Sequence, residues 1–306
     1  MLRRLRGLNR GKAGSAEPVA AGGSQHLSWH EISGIDWIPN APSHVAPRAG
    51  IVTQQALCSP DFYFWTRAIN EHPTLHRKQW EYFLALQTVW ASTGGDLSGK
   101  RAIFFGVGLD PIPALLASLG AEVLVTDYRS GPNSEAWRNT GQLSENLLEL
   151  NSRALCPDDV FEEKCSYREV DMNQIPVEFE GEFDFVFSFC SLGHIGGYQK
   201  GLDFIIHSGS VLRPGGVAVH TTEIDLSGHL RVLESPDLSL YRRADLERTL
   251  KRLTEEGFQV PEHRFHPGPG FADQYLDKEP FSSTHLRHDV LGHETTAFGF
   301  VFSRNQ

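Results

Sequence analysis

Cysteine is scarce in this chain of 306 residues. There are four, Cys58, Cys156, Cys165 and Cys190, with no C-x-x-C spacing and no regular pairing. That excludes a disulfide framework and fits a reducing cytoplasm. No apolar run approaches the roughly 20 residues that cross a bilayer, so no membrane span is expected. Positive charge is short as well: 28 Lys and Arg against 38 Asp and Glu give a net charge of −10. The cations are also unevenly placed. Residues 1–25 carry Arg3, Arg4, Arg6, Arg10 and Lys12 against Glu17, a net +4 that leaves −14 on the remainder. Polar, glycine-rich and without an apolar core segment, this stretch reads as a disordered tail rather than a signal peptide. The acidic body repels a phosphate backbone, which argues against a nucleic-acid substrate.

What is present is concentrated in residues 101–128, RAIFFGVGLDPIPALLASLGAEVLVTDY. The segment reads as a buried strand, a glycine turn, a helix and a second strand that ends in a carboxylate. Gly106 and Gly108 allow a tight turn and a close approach of backbone to a ligand, and Asp127, 21 residues past Gly106, stands where such folds hold a ribose. A dinucleotide enzyme would want a third glycine, so that the pyrophosphate meets the helix N-terminus. Here that position is Pro111, and Asp110 puts negative charge where a pyrophosphate needs positive potential. A ligand without phosphates fits better. Asp110 followed by Pro111 also matches helix-start chemistry, an N-cap carboxylate before a proline.

Further strand-like runs arrive at 167–170, leading into Asp171-Met172-Asn173, at 183–189, and at 217–220 after the turn Leu212-Arg213-Pro214-Gly215-Gly216. Continuous apolar strands separated by helical stretches imply a parallel sheet covered on both faces. Its ligand crevice lies at the carboxyl ends of the strands, where Gly106, Asp127, Asp171, Phe189 and His220 converge. The expected class is therefore α/β: a Rossmann-like, doubly wound, mostly parallel seven-stranded sheet with an antiparallel C-terminal hairpin, preceded by an N-terminal cap. Three segments follow: the tail 1–25, a cap and substrate segment 26–99, and the nucleoside-binding domain 100–306.

Within the cap, loops rich in Pro and Gly around 29–49 lead to a segment 60–70, and residues 75–93 read as helical. Trp80, Phe83, Leu84 and Trp90 recur at helical spacing and are expected to pack on the sheet, while the nearby aromatics suit a cover over a small organic acceptor. Past the sheet, 241–256 reads as a helix and 258–266 and 295–303 as strands. Between these strands, 267–291 reads as a long loop of the kind that is functional or mobile. It carries His285 and His288, with His293 just beyond, expected as solvated or acceptor-contacting residues because no second ligand cluster accompanies them. Cys190 is expected as a small lining residue rather than a nucleophile.

Taken in order, the G-V-G loop, the acid ending strand two, Asp171 after strand three, F-D-F-V-F-S at strand four and L-R-P-G-G before strand five resemble the class I S-adenosylmethionine-dependent methyltransferases, over roughly residues 100–305. The resemblance implies S-adenosylmethionine as cofactor. It places Gly106 and Gly108 beside the methionine part, Asp127 on the ribose hydroxyls, Asp171 near the adenine amino group, and Ser188 and Phe189 along the cofactor, with Val107, Tyr128 and Met172 completing the lining. This chain has Phe104 where the family has an acid two residues before the first glycine, and Asp110 is the available substitute. The strings HRKQWEYF, DMNQIP, CSLGHIGG and LRPGGVAVHTTE further resemble a bacterial group associated with antibiotic and surface-glycan gene clusters. That group carries Glu-His where this chain has Gly193-His194.

Methyl transfer to a hydroxyl or protonated amine needs a proton acceptor near the crevice. The candidates are His194 after strand four and His220 at the end of strand five, with Glu223 to orient His220 or the acceptor. The leading expectation is O-methylation of a sugar or natural-product hydroxyl by a cytoplasmic biosynthetic enzyme, with a small-molecule acceptor and no metal. The alternatives are an N-methyltransferase of an amino sugar or peptide, a nicotinamide-dependent oxidoreductase, and a non-catalytic cofactor-binding scaffold.

Overall fold

The computed structural model describes residues 28–131, 134–139, 141–229, 232–235 and 237–306; the expected tail lies outside the described residues. One twelve-stranded mixed sheet organises the chain. Its strands are β1 (Ala49–Ile51), β2 (Arg101–Phe105), β3 (Glu122–Asp127), β4 (Cys165–Glu169), β5 (Phe183–Phe189), β6 (Leu212–Asp225), β7 (Tyr241–Arg242), β8 (Phe258–Gln259), β9 (His263–Arg264), β10 (Leu276–Asp277), β11 (Arg287–Val290) and β12 (His293–Arg304). The helices are α1 (Trp29–Ser33), α2 (Gln54–Leu57), α3 (Pro60–Ala68), α4 (Arg77–Thr93), α5 (Ile112–Ser118), α6 (Ser134–Asn139), α7 (Asp158–Lys164), α8 (Tyr198–Ser208), α9 (Arg243–Glu255) and α10 (Phe271–Gln274).

The central order is β12-β6-β5-β2-β3-β4, parallel from β6 to β4 and antiparallel between β6 and β12. This is the Rossmann-like frame with an antiparallel C-terminal edge. The chain reverses direction on either side of β2 and β5, and a crevice opens at the carboxyl ends of those strands. All seven residues of β5 are buried, as a central strand covered on both faces requires. One face carries α4, α5 and α7, whose Trp80, Leu115 and Phe161 pack with Phe185, Phe187 and Val219. The other carries α8 and α9, whose Phe204 and Leu246 pack with Val186, Ala218 and Phe300.

Three expectations change. The run 258–266 is not one strand: it splits into β8 and β9 around Pro261, which has no N–H to give to a ladder. The outer edge of β12 is instead assembled from three short pieces, β8 at Arg304, β1 at Gly299 and β11 at Thr296. So β1, from the segment read as a cap, is part of the sheet. The stretch 267–291 is not an unstructured loop either. It holds α10, β10 and β11, and closes a hairpin on β12 through Leu291 and Gly292, whose φ values of 53° and 84° are those of a two-residue hairpin turn. Finally, L-R-P-G-G is carried inside β6 as an irregularity: the register against β5 passes from Phe183↔Leu212 to Phe185↔Val217.

Candidate active site

The glycine loop after β2 behaves as its spacing predicts. Gly106 and Gly108 have φ of 62° and 53°, in the left-handed region that favours glycine. A methyl group on Gly106 would sit 2.8 Å from Ser191 Cβ and 3.4 Å from Met172 Sδ, so this backbone faces the ends of β4 and β5 at contact distance. Val107 is buried, its N–H donating to the Thr126 carbonyl. At the end of β3, Asp127 accepts the Gly108 N–H at 3.0 Å and the Tyr128 N–H at 2.9 Å. Burial raises its pKa, against the lowering by those two N–H groups. Tyr128 is exposed beside it. Asp171 caps its own turn, accepting from the backbone and side chain of Asn173 at 2.8 Å, and Met172 is buried.

Three readings do not survive the geometry. His220 is 0% exposed, its Nδ1 is 2.7 Å from Ser188 Oγ and its Nε2 is 2.9 Å from Ser208 Oγ. Burial lowers its pKa to about 3. Alternation along β6 is the reason: Thr221 points to α4 and the crevice, so its neighbour His220 points to α8. His220 is therefore no base for a bound acceptor, and Ser188, its partner on β5, faces the same interior rather than a cofactor. Asp110 is not a helix cap. The N-cap residue of α5 is Pro111, with no side-chain bond, and Asp110 instead accepts from Tyr82 Oη at 2.6 Å and lies 3.2 Å from Lys78 Nζ.

His194 stands in the turn that follows β5, at its carboxyl end. Its Nδ1 lies 2.6 Å from the Asp237 carbonyl, which can only accept, so the neutral ring carries its proton there and Nε2 keeps a free lone pair. The ring also meets the edge of Trp137 at 4.8 Å. Glu223 does not orient His220. It binds Arg77 at 2.7 Å and His288 at 3.2 Å, and although burial pushes its pKa up, these partners outweigh it and hold the carboxyl at about 2.

The larger omission from the sequence reading is the first turn of α4. The aromatic stripe of α4 was expected to pack on the sheet and the nearby aromatics to suit a cover over an acceptor; the charged residues of the helix were not singled out, yet it brings Arg77, Lys78, Glu81 and Tyr82 to the residues at the carboxyl ends of β5 and β6. Glu81 is 0% exposed; it accepts from Thr221 Oγ1 at 2.8 Å and Cys190 Sγ at 3.1 Å, and lies 3.4 Å from Arg77 and 3.5 Å from Lys78. A carboxylate between Trp80 and Tyr82 in an apolar stripe was the available signal. Burial pushes the Cys190 thiol up to about 12, which leaves it a donor rather than a nucleophile. His285 and His288 are buried, not solvated: His76, His285 and His288 stack with centroids 4.9 and 4.5 Å apart, and Asp277 holds His285 Nδ1 at 2.7 Å. His293 lies outside this column, bonded to Asp225 at 2.8 Å. Among the described residues no group of three His, Cys, Asp or Glu is arranged to hold a metal ion. No described helix is long and apolar enough to cross a membrane.

The fold is that of an open α/β protein with a crevice at the carboxyl ends of β2 and β5. No family model matches the chain, and no curated protein matches it in sequence. Solved structures do. The DhpI–SAH complex is similar at 18% identity over 72% of this chain and 82% of that one, with a TM-score of 0.40. Magnesium protoporphyrin IX methyltransferase (ChlM) from Synechocystis PCC 6803 with bound SAH is similar at 14% over 79% and 97%, with a TM-score of 0.41. An S-adenosylmethionine-dependent methyltransferase from Mesorhizobium loti is similar at 15% over 68% and 93%, with a TM-score of 0.40.

Proposed function

We propose that the chain is a methyltransferase that uses S-adenosylmethionine to methylate a small-molecule hydroxyl, with His194 as the base. One observation carries this reading. The left-handed glycine loop and the Asp127 carboxylate stand together, as a nucleoside seat needs, and beside Gly108 lie two buried acids, Asp110 and Glu81, paired with Lys78 and Arg77. A dinucleotide's diphosphate would have to sit beside these carboxylates, whereas a cofactor that brings positive charge and no phosphate meets no such repulsion. The cofactor supplies an electrophilic methyl group whose departure leaves a neutral thioether. The protein's part is to hold the nucleoside through Asp127, exclude water with the aromatic cover of Tyr82 and Phe189, and align the acceptor for in-line attack. As the new C–O bond forms, the hydroxyl proton passes to His194 Nε2, and from this part-exposed ring to solvent.

Calorimetry with S-adenosylmethionine, S-adenosylhomocysteine and NADH tests the cofactor. Both adenosyl ligands are expected to bind, and Asp127→Ala to weaken them by about 1.5 to 3 kcal/mol per lost charge-assisted bond with the fold intact. Binding of NADH alone, or unchanged affinity in a folded variant, overturns the assignment. Transfer of a labelled methyl group to hydroxylated metabolites then separates an enzyme from an inert cofactor-binding scaffold.

A further inference from the structure

Three guanidiniums gather where no local pattern in the sequence brings them. Arg48 precedes β1, Arg264 ends β9 and Arg243 opens α9, and together they line a cavity of about 360 Å³ with Phe265 in its wall and Glu262 as its carboxylate. Parallel pairing of β1 with β9 sets Ala49 beside His263 and Gly50 beside Arg264, so adjoining strands carry Arg48 and Arg264 into one place. Arg243 is fixed from the helix side: its guanidinium lies 5.2 Å from the centre of the Phe265 ring, and its Nε donates to Glu247 at 2.7 Å. His263 is a wall rather than a fourth cation. Its Nδ1 lies 2.7 Å from the Pro261 carbonyl, its Nε2 accepts from the Val301 N–H at 3.1 Å, and burial lowers its pKa to about 4.

The arginines of the chain differ in their partners. Among the described residues, Arg48 and Arg264 make no side-chain hydrogen bond or ion pair, whereas every other described arginine makes one. In a chain with 38 acids against 28 Lys and Arg, carboxylate partners are plentiful. The fold nevertheless leaves two guanidiniums unpaired and sets them beside a third. Like charges held together repel, so the arrangement costs stability that a bound anion returns. Guanidinium forks take phosphoryl oxygens two at a time, and a concave site of this size suits a small molecule rather than an extended polymer.

We infer that Arg48, Arg264 and Arg243 form a binding site for a phosphoryl dianion, with Arg48 and Arg264 as its direct contacts and Arg243 as the flanking charge. The site shares no lining residue with the glycine loop, Asp127 or the first turn of α4, so it stands whether or not the crevice binds S-adenosylmethionine. Two sources carry this chemistry, free inorganic phosphate and the phosphate group of an organic ligand.

The test is calorimetric titration of the full chain with inorganic phosphate and with phenyl phosphate, at one low ionic strength so that screening stays fixed. The proteins are the wild type, Arg48→Gln, Arg264→Gln and, as a control, Arg168→Gln, which removes an arginine paired with Glu178 at the opposite edge of the sheet. Saturable binding is expected in the wild type and the control. Each of the other two variants is expected to bind at least about tenfold more weakly, as loss of a hydrogen bond between charged groups does. Tighter binding of phenyl phosphate than of phosphate assigns the site to an organic ligand, and equal or weaker binding assigns it to the free ion; either supports the site. A signal that does not saturate, or one that the control weakens as much as the other two variants do, is general attraction of an anion and overturns the proposal. Unchanged affinity in Arg48→Gln or Arg264→Gln overturns it too. Thermal unfolding in phosphate-free buffer gives a second readout. Both variants are expected to be at least as stable as the wild type, because a repelling charge is gone; a lowered midpoint or a failure to fold in either makes that arginine structural and overturns the site.

Discussion

A backbone carbonyl fixes the proton of His194 on Nδ1, and two hydroxyls enclose both nitrogens of His220. These environments lead to opposite expectations. His194→Ala is expected to lower turnover by about 10²- to 10⁴-fold while the adenosyl ligands still bind, as loss of a general base does; a single-turnover assay with a found acceptor checks it. His220 acts instead on stability. Its pKa is about 3 in the fold against 6.5 when free, so the unfolded chain takes up a proton first as pH falls. The folded state therefore loses stability as the medium is acidified from about pH 6.5 toward 3, and at pH 5 the loss is about 2 kcal/mol. Urea unfolding at pH 7 and 5 should show the slope, and His220→Gln, though less stable at neutral pH, should flatten it. An equal slope in the variant would reassign the effect to other imidazoles, of which the half-buried His76 is also held at about 3.

Among the elements, β1 carries a specific demand. Gly50 has φ of 98°, and a methyl group there would lie 2.2 Å from the Arg264 carbonyl oxygen and 2.3 Å from its nitrogen. No side chain can yield, because the obstacle is backbone. Gly50→Ala is thus expected to break the β1–β9 pairing and destabilise the protein by more than the roughly 1 to 3 kcal/mol of a strained φ alone. Gly34→Ala, at φ of 66° with nothing within 4 Å, is the control for the φ penalty without the clash. Equal denaturant midpoints for the two variants would show that β1 is dispensable. This strand was invisible in the sequence because three residues, Ala-Gly-Ile, hold no periodicity to read. By contrast β5 announced itself as an apolar run, FDFVFSF, all seven residues of which are buried, and the helix read at 75–93 is α4.

For the molecule as a whole, the acidic composition is most telling where it is buried. Glu81, Asp110 and Glu223 come from α4, the glycine loop and β6, and Arg77 and Lys78 on the first turn of α4 stand between them. The bond from Thr221 to Glu81 spans 140 residues of chain. Within the HRKQWEYF string the same residues look like an ordinary charged helix start followed by a packing stripe, and both descriptions are locally correct. The aromatic stripe does pack: Trp80 is 1% exposed and touches the core beneath β12. What local reading misses is that one turn of that helix overhangs the strand ends.

The amino-acid sequence by itself determined the αβ alternation, the left-handed glycine turn and the carboxylate at the end of β3, because turn conformation, strand burial and cap chemistry are set by neighbours within a few residues. It placed His194 and His220 near the same strand ends but did not tell them apart. Only the tertiary structure decided that His220 turns into the core, since one residue of register along a strand exchanges cleft for core. It alone decided that Asp110 answers to Tyr82 and Lys78 rather than to its own helix. Charges separated by dozens of residues acquire their partners, and so their chemistry, only when packing removes the water between them.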